Sequence, residues 1–316
     1  MTAVHCARRA GAYFISLSFN ISDVAPRPVP FVKRLAEKPL HNLGVCVGQI
    51  YGPSRKWIDL IEFVEHHKII GATMFYFTVF SIDEYSRTTL NEYIRTGYAE
   101  VTDVNTEYTD GYLYLHMIQI HDCFFRSRHH SKWMLNIDHD EFLVPTKERF
   151  LEYLDSLSTH FAEIIFAIRR KDKLEESAKI YNNTENVGDN IQMIKFNRTL
   201  NTLYHTSKVI VQPTKLEAIL LHWAYGHLTG YRSFAIPKNV ALVNHYRNRG
   251  ILPSGPNKPS TKYTIDVVDK NHTEVLRARV AETAEYVFKK HNISCDSVSD
   301  SWKTVTGGFL KKMNIC

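Results

Sequence analysis

Two kinds of apolar pattern alternate along the first half of the chain. Short apolar runs bounded by turn residues predict strands at 43–50, 72–80, 98–104 and 133–137. Between them, apolar residues recur every three or four positions opposite charged ones, which predicts helices at 55–68, 81–96 and 112–126. Alternating strands and helices favour a mostly parallel sheet with right-handed crossovers. We therefore expect an α/β protein with a Rossmann-type mixed sheet flanked by helices.

The pattern is looser after residue 145. Strands are predicted at 163–168, 191–196, 208–211, 218–223 and 239–243, with a polar surface loop at 169–190 and an amphipathic helix at 274–290. The prolines near the N-terminus are typical of a linker. We divide the chain into an N-terminal stem or linker (1–40), a main α/β domain (41–250) and a C-terminal extension that contains the amphipathic helix (251–316).

Three acidic residues follow the strand predicted at 133–137. Asp138 and Asp140 are two positions apart, so on an extended backbone both side chains point to the same side. Ligands of open α/β sheets bind at the carboxyl ends of the strands. Two carboxylates there provide hard oxygen ligands for Mg²⁺ or Mn²⁺. We expect a metal–diphosphate site at this Asp-x-Asp motif, since a bound cation neutralises a diphosphate leaving group.

Charge and cysteine content exclude several classes of protein. The 316-residue chain has a formal charge of +6, and its 39 Lys and Arg form no long basic block. This argues against a nucleic-acid-binding protein and suits an anionic small-molecule ligand. The five cysteines show no Cys-x-x-Cys spacing, which disfavours a zinc ribbon or a thioredoxin-like site and leaves their pairing open.

Two features of the sequence bear on the compartment of the protein. Asn-x-Ser/Thr sequons occur at five positions, which is compatible with the secretory pathway. No apolar run reaches the roughly 18 to 20 residues needed to span a bilayer. The short apolar segment near the N-terminus is interpreted as a strand, with a signal-like segment as the alternative.

Several runs of residues, in order and spacing, resemble glycosyltransferase family 92. The central run contains Cys123-Phe124-Phe125-Arg126, Lys132-Trp133, Asp138-His139-Asp140-Glu141-Phe142 and Pro145. Before it stand Val45-Cys46-Val47, Tyr51-Gly52 with Trp57, and Gly71-Ala72; after it stand Lys208-Val209-Ile210-Val211-Gln212-Pro213 and His245-Tyr246-Arg247. The resemblance extends over residues 43–248.

This resemblance implies a GT-A-like fold and a specific reaction. Members of the family transfer galactose from UDP-galactose with inversion, using Mn²⁺ (or Mg²⁺), to glycans of glycoproteins, including fucose on N-glycans. The expected partners are therefore a nucleotide-sugar donor and a glycan acceptor. Family members are usually anchored in the Golgi membrane and face the lumen. No anchor is visible here, so membrane association would require a segment that this sequence does not show.

The resemblance also implies roles for individual residues. Asp138, Asp140 and His245 are predicted metal ligands, with Asp140 the more direct one. Tyr51, Asp83, Asp138 and Arg247 are predicted to bind the donor. As residues alone, Tyr51 and Asp83 follow the first two predicted strands and reach the same sheet edge as the Asp-x-Asp motif. An aromatic ring there can stack on uracil, and a carboxylate can bind ribose hydroxyls.

The acceptor side is less well defined by the sequence. Inverting transfer requires a general base near the acceptor hydroxyl. Glu217 is the candidate base, and the alternatives are Glu175, Glu176 and Asp189 in the predicted polar loop. His222 and Trp223 are candidate acceptor contacts because aromatic faces pack against sugars.

Two other functions are weighed against glycosyl transfer. One is a glycan- or nucleotide-sugar-binding protein that kept the fold and lost catalysis. The other is a different Asp-x-Asp enzyme such as a nucleotidyltransferase. The second is disfavoured because the segment from Tyr51 to Trp57 matches neither a dinucleotide-binding glycine motif nor a phosphate-binding loop.

Overall fold

The computed structural model describes most of the chain. The described residues are 9–24, 28–30, 34, 38–52, 54–104, 112–146, 149–200, 207–248, 263–266 and 269–290. Two short strands, β1 (Phe14–Ile15) and β2 (Val29–Pro30), pair near the N-terminus. Within the described ranges no helix combines the length and the apolarity that crossing a bilayer requires.

Four parallel strands form the first half of the main sheet. They are β3 (His41–Val47), β4 (Met74–Val79), β5 (Ala99–Asp103) and β6 (Ser131–Ile137), in the spatial order β6-β3-β4-β5. Helices α1 (Trp57–Ile70), α2 (Glu84–Arg95) and α3 (Tyr112–Ser127) connect them. Gly71 ends α1 with a φ of 107°, a left-handed conformation that glycine adopts without steric cost. The crossovers place every carboxyl end at one edge of the sheet.

The second half adds antiparallel pairing. Its elements are β7 (Glu141–Pro145), α4 (Phe150–Ser156), β8 (Phe161–Lys173), α5 (Thr184–Gly188), α6 (Gln192–Lys195), β9 (Arg198–Leu200), β10 (Ser207–Val211), β11 (Leu216–Ile219), β12 (Ala224–His227), β13 (Arg232–Ala235), β14 (Ala241–Asn248), β15 (Tyr263–Ile265) and α7 (Lys270–Glu285). The predicted α/β class, with a Rossmann-type mixed sheet flanked by helices, is confirmed.

Two antiparallel pairings bring distant segments to the end of β6. In β10, Val209 pairs with Asn136 of β6, which places the start of β10 beside the residues that follow β6. In β14, His245 pairs with Glu141 of β7. The long strand β8 pairs with β9, β10, β13 and β14 and so joins both parts of the second half.

The core lies on both faces of the sheet. Helix α7 contributes Leu276 and Val280 to the larger apolar cluster, beside α1, so the predicted C-terminal helix packs onto the main domain. A disulfide joins Cys46 of β3 to Cys123 of α3, and both residues are fully buried. It ties α3 to the centre of the sheet.

Three sequence predictions in the second half were wrong. The strand predicted at 191–196 is the helix α6, because the buried carboxylate of Glu62 accepts hydrogen bonds from the backbone N–H groups of Gln192 (2.8 Å) and Met193 (2.9 Å) at the first turn. The strand predicted at 218–223 is wrong for residues 220–223, which form the turn between β11 and β12, because β11 ends at Ile219. The polar loop predicted from residue 169 begins later, since β8 continues to Lys173.

Candidate active site

A cavity of about 710 Å³ opens beside the carboxyl end of β6. Its walls come from the loop between β3 and α1, the Asp-x-Asp turn, the segment after β8, and β14. The lining residues are Gln49, Tyr51, Ser54, Arg55, Asp59, Asp138, His139, Asp140, Lys173, Glu175, Glu176, Ser177, Lys179, His245, Tyr246 and Arg247. This volume lies within the usual range for small-molecule sites.

The Asp-x-Asp motif forms a tight turn between β6 and β7. The backbone N–H of Glu141 donates to the carbonyl of Asp138 at 3.0 Å, and the carboxylate of Glu141 accepts from the N–H of Asp138, also at 3.0 Å. Gly48 lies directly against this turn: a Cβ added there would be 2.1 Å from Oδ1 of Asp138. Only a residue without a side chain allows this close approach.

A buried lysine contacts two of the three acidic residues. Nζ of Lys208 lies 2.9 Å from Oδ2 of Asp138 and 3.0 Å from Oε2 of Glu141, and its side chain is 2 % exposed. Burial by itself lowers the pKa of Lys208, but the two carboxylates raise it above its ordinary value. Burial also disfavours the charged form of Glu141, which raises the pKa of that carboxyl, and the charge of Lys208 opposes this shift. The ammonium group is therefore charged at neutral pH.

The environment of Asp138 contains a second basic group. Nε2 of His116, on α3, lies 3.5 Å from Oδ1 of Asp138. Burial acts to raise the pKa of Asp138, but Lys208 and His116 hold it well below its usual range. Asp138 is an ionised carboxylate whose charge is compensated within the protein.

Asp140 faces a different partner. Nε2 of His245 lies 3.3 Å from Oδ2 of Asp140, and Nδ1 of the same ring lies 3.4 Å from Oε1 of Glu141. Burial alone would lower the pKa of His245, but Asp140 and Glu141 raise it to about 9. The N–H of Tyr246 donates to the carbonyl of Asp140 at 2.8 Å, which fixes β14 against the turn. Asp140 and His245 thus form an ion pair at the cavity wall.

The donor set suits a divalent cation that also binds phosphate. Within the described ranges, no three His, Cys, Asp or Glu side chains are grouped closely enough to hold a metal ion by themselves. Mg²⁺ and similar ions, however, are usually held by one or two protein ligands together with substrate phosphates and water. The carboxylate of Asp140 is a suitable ligand for Mn²⁺, and His245 can add a nitrogen ligand when its ring has lost its proton. Asp140 and His245 therefore fit a metal–diphosphate complex.

The structure brings three of the four predicted donor contacts to this cavity. Tyr51, Asp138 and Arg247 line it. Asp83 does not line it; its carboxylate caps α2 by accepting from the N–H of Ser86 at 3.0 Å. Lys173 also lines the cavity, and its Nζ lies 3.3 Å from the carboxylate of Asp59, another lining residue. The lining therefore contains paired basic and acidic groups.

The candidate general bases lie in different places. Glu175 and Glu176 line the cavity, and Glu175 pairs with Lys195 at 2.8 Å. Glu217 does not line it; it is an exposed residue of β11 whose carboxylate packs against Gly226 of β12. Asp189 is outside as well and contacts Arg277 at 3.3 Å.

The β11–β12 hairpin lies next to the Asp-x-Asp turn. The side chain of Asn136 donates to the carbonyl of Leu221 at 3.3 Å, and His222 contacts the carbonyl of Ser207 at 2.7 Å. Burial lowers the pKa of His222, and the charge of Lys208 lowers it further, because the ring is close to the turn. The hairpin is thus attached to the ends of both β6 and β10.

The same hairpin presents two exposed aromatic rings. Trp223 is 52 % exposed and Tyr225 is 73 % exposed. Between them, the N–H of Ala224 donates to the buried carboxylate of Glu163 at 2.5 Å, and that carboxylate also contacts His227 at 3.3 Å. The rings are therefore carried by a backbone that is anchored to β8.

Three residues of the site were missed in the sequence, namely Gly48, His116 and Lys208. Each lies far from the acidic motif along the chain, so no local spacing connects them to it. The usable signal was Lys208 itself, a charged residue at the start of an otherwise apolar strand, since a buried lysine requires a carboxylate partner.

The chain is similar in sequence to a known protein family. Residues 41–285 match the model of glycosyltransferase family 92. No curated protein matches the chain in sequence.

Two solved structures are similar at a distance. S. aureus TarS 1–349 in complex with UDP-GlcNAc has 11 % identity and a TM-score of 0.36, with 86 % of this chain and 81 % of that chain covered. Mannosyltransferase PcManGT from Pyrobaculum calidifontis in complex with GDP-Man and Mn²⁺ has 10 % identity and a TM-score of 0.33, with 88 % and 83 % covered. At these TM-scores neither likeness bears on the ligands of this chain.

Proposed function

Because this chain belongs to glycosyltransferase family 92, its reaction class is glycosyl transfer, and we propose that it is a metal-dependent, inverting galactosyltransferase using UDP-galactose. The observation that carries the proposal is the Asp140–His245 pair at the wall of the cavity. A carboxylate and an imidazole meet there at the carboxyl edge of a parallel sheet, where nucleotides bind.

The donor would occupy the cavity between the β3–α1 loop and β14. Tyr51 is 45 % exposed and offers a ring to the uracil base, and Arg247 offers a guanidinium to the diphosphate. Asp140 and His245 would hold Mn²⁺ or Mg²⁺. When bound, such an ion offsets the negative charge that develops on the departing UDP. Arg55 adds a further positive charge along the same wall, whereas the charge of Lys173 is balanced by Asp59.

The acceptor would approach across the β11–β12 hairpin. Leu221 and His222 of this hairpin contact the ends of β6 and β10. Trp223 and Tyr225 follow them and present exposed rings, and aromatic faces of this kind suit the apolar face of a sugar. The acceptor hydroxyl requires a base, and the position in the cavity favours Glu176 or Glu175 over Glu217. A glycan on a glycoprotein is the acceptor class that we propose.

A lumenal compartment of the secretory pathway, such as the Golgi, is the location that we propose. The buried Cys46–Cys123 disulfide supports it, because disulfides persist in oxidising compartments. The five sequons are consistent with the same location.

A donor panel tests the function directly. UDP-galactose, UDP-glucose, UDP-GlcNAc and GDP-mannose are each incubated with the protein, Mn²⁺ and a set of fucosylated and non-fucosylated N-glycans. We expect product from UDP-galactose with inverted anomeric configuration. Asp140→Ala should lower the rate at least 100-fold, whereas Glu152→Ala, a surface carboxylate on α4, should not change it.

Two results would count against the proposal. Donor binding without turnover on any acceptor would favour a non-catalytic nucleotide-sugar-binding protein. An unchanged rate for Asp140→Ala would exclude the metal role of this residue.

A further inference from the structure

One wall of the cavity is formed by residues 174–181, a segment after β8 that is neither helix nor strand. We call it the wall segment. The residues of this segment that line the cavity are Glu175, Glu176, Ser177 and Lys179. It therefore carries both candidate general bases that face the donor. Because no strand or helix ladder holds its backbone, its position depends on groups that other elements supply.

Aromatic side chains from α1 and α2 hold the backbone of the wall segment. Nε1 of Trp57 donates a hydrogen bond to the carbonyl of Ala178 at 2.7 Å. The backbone N–H of Tyr181 donates to the hydroxyl of Tyr85 at 2.8 Å. The rings of Trp57 and Tyr181 also meet edge to face, with centroids 6.2 Å apart. The end of the wall segment is thus attached to a cluster of aromatic rings.

Phe288, which follows α7, packs against every ring of this cluster. It stacks on Tyr85, with centroids 4.5 Å apart and planes at 10°, and on Tyr181, at 5.8 Å and 20°. It meets Trp57 edge to face at 5.1 Å. Such arrangements stabilise aromatic pairs beyond the burial of their surface. Phe288 therefore contacts both partners of the Tyr181–Tyr85 hydrogen bond and the ring that holds Ala178.

The backbone around Phe288 is unusual. Residues Tyr286–Lys290 continue α7 as a π-helical turn. π-helices are rare and are frequently found at functional sites. In the same turn, Nζ of Lys289 lies 5.6 Å from the centroid of the Tyr181 ring. Two neighbouring side chains of this turn thus contact the end of the wall segment.

We propose that Phe288 is a positioning residue of the active site: its ring fixes the wall segment and so the two candidate bases that this segment carries. Without the ring, Tyr85 and Tyr181 have space to move, and the hydrogen bond between them is no longer held in place. A displacement of about 1 Å in an active site can lower a rate on the order of 100-fold. The inference rests on the proposed function, because the group that is positioned is the base of that reaction.

The proposed metal and diphosphate contacts lie outside the aromatic cluster. Asp140 and His245 pair at the turn after β6, and Arg247 stands on β14. Loss of the Phe288 ring should therefore slow the chemical step more than it weakens donor binding. If Phe288 only filled space in the core, its removal would lower stability and leave the chemical step unchanged.

The experiment compares Phe288→Ala with Leu276→Ala. Leu276 is a fully buried residue of α7 in the apolar cluster against which Phe288 packs, so its truncation controls for lost stability. For each variant, kcat is measured with UDP-galactose and acceptor both saturating, and the affinity for UDP is measured with Mn²⁺. The hydrogen-exchange rate of the Tyr181 amide is resolved by fragmentation mass spectrometry.

Phe288→Ala should lower kcat at least tenfold and keep the affinity for UDP within threefold of the wild type. Exchange of the Tyr181 amide should become at least tenfold faster, because its bond to the Tyr85 hydroxyl opens more often. Leu276→Ala should lower the melting temperature and keep both kcat and this exchange rate within threefold.

The outcomes separate this inference from the function on which it rests. Equal effects of the two variants on kcat and on exchange would overturn the inference and leave the function in place. An unchanged kcat with a tenfold loss of UDP affinity would overturn it as well. If the wild type transfers no sugar, the function fails, and faster exchange in Phe288→Ala alone still supports the placement of the wall segment, whereas equal exchange overturns it.

A second variant covers the case in which Phe288→Ala does not fold. Phe288→Leu keeps an apolar side chain and removes the ring. We expect a kcat at least threefold lower and faster exchange at Tyr181, while a kcat and an exchange rate equal to those of the wild type would overturn the inference.

Discussion

Gly48 and Asp138 approach each other so closely that a methyl group between them would lie 2.1 Å from a carboxylate oxygen and 2.9 Å from the Cα of Asp138. The end of β3 thereby sets the position of the acidic turn after β6. The second of these contacts involves backbone, so a rotation of the Asp138 side chain cannot relieve it.

We therefore expect Gly48→Ala to displace the turn. Overpacking of this kind costs typically 1–3 kcal/mol of stability. The effect on donor binding should be larger than the effect on stability: we expect the affinity for UDP and Mn²⁺ to be at least tenfold weaker. Calorimetric titration and thermal melting of the same preparation measure both effects.

Gly97→Ala is the control for this substitution. Gly97 has a φ of 76° and open space around its Cβ position, so alanine there costs about 1 kcal/mol in backbone strain without a clash. The melting temperature of the Gly97→Ala variant should fall, while its affinity for UDP stays at the wild-type level. Equal binding losses in both variants would mean that the contact with Asp138 is irrelevant.

Substitutions on the β11–β12 hairpin should weaken binding of the acceptor and leave binding of the donor unchanged. Trp223→Ala is expected to raise the KM for the glycan acceptor about tenfold, which corresponds to roughly 1.4 kcal/mol of lost contact. The KM for the sugar nucleotide should change less than twofold, because Trp223 does not line the donor cavity. Steady-state kinetics with each substrate varied in turn separates the two constants.

Tyr263→Ala serves as the comparison for that experiment. Tyr263 is an exposed aromatic residue of β15, outside the donor cavity, and its replacement should change neither KM. A larger effect on the donor than on the acceptor in Trp223→Ala would contradict the acceptor role of the hairpin.

Acid should destabilise the protein through a buried histidine. His67 is fully buried, and its Nδ1 lies 2.8 Å from the carbonyl of Phe63; burial lowers its pKa from 6.5 to about 4. As the pH falls below 6.5, the unfolded chain takes up a proton that the folded protein does not. The contribution of His67 is thus present above pH 6.5 and is lost progressively toward pH 4, by about 3 kcal/mol in total.

The difference between wild type and His67→Gln isolates this contribution. Urea unfolding is measured at pH 7, 6, 5 and 4. Between pH 7 and pH 4 the free energy of unfolding of the wild type should fall by about 3 kcal/mol more than that of the variant. Glu62, His66 and His272 titrate in both proteins, so their contributions largely cancel. A constant difference across this pH range would mean that His67 is accessible to protons in the folded state.

The disulfide between Cys46 and Cys123 should be a major source of stability. It closes a loop with a sequence separation of 77, for which the chain-entropy model gives about 4.5 kcal/mol. Cys46→Ala/Cys123→Ala is expected to unfold at correspondingly lower urea concentration and to be insensitive to reductant, whereas the wild type should be sensitive. Non-reducing peptide mapping checks the pairing itself.

The parallel half of the sheet could be predicted because its information is local. Each strand there is a short apolar run, and each helix has its own apolar face; Phe75 and Phe77 in β4 and Leu60 in α1 are examples. The position of Asp138 and Asp140 at the strand ends follows from that alternation alone.

The second half depends on partners that are distant in sequence. Residues 191–196 have the composition of a strand, yet Glu62 of α1 fixes them as a helix. Likewise, no residue near Asp138 in the sequence indicates that Lys208 contacts its carboxylate. Register between β10 and β6 decides that contact, and register is a property of the assembled sheet.

The order in which the chain is synthesised gives β14 a particular importance. His245 and Arg247 stand on the strand that pairs with β7 and β8, both of which leave the ribosome long before it. A nascent or prematurely terminated chain that ends before β14 carries the complete Asp-x-Asp turn but lacks the opposite wall of the cavity. Transcripts that encode the acidic motif without residues 241–248 should therefore yield proteins that lack the Asp140–His245 pair, whatever their similarity to the family elsewhere.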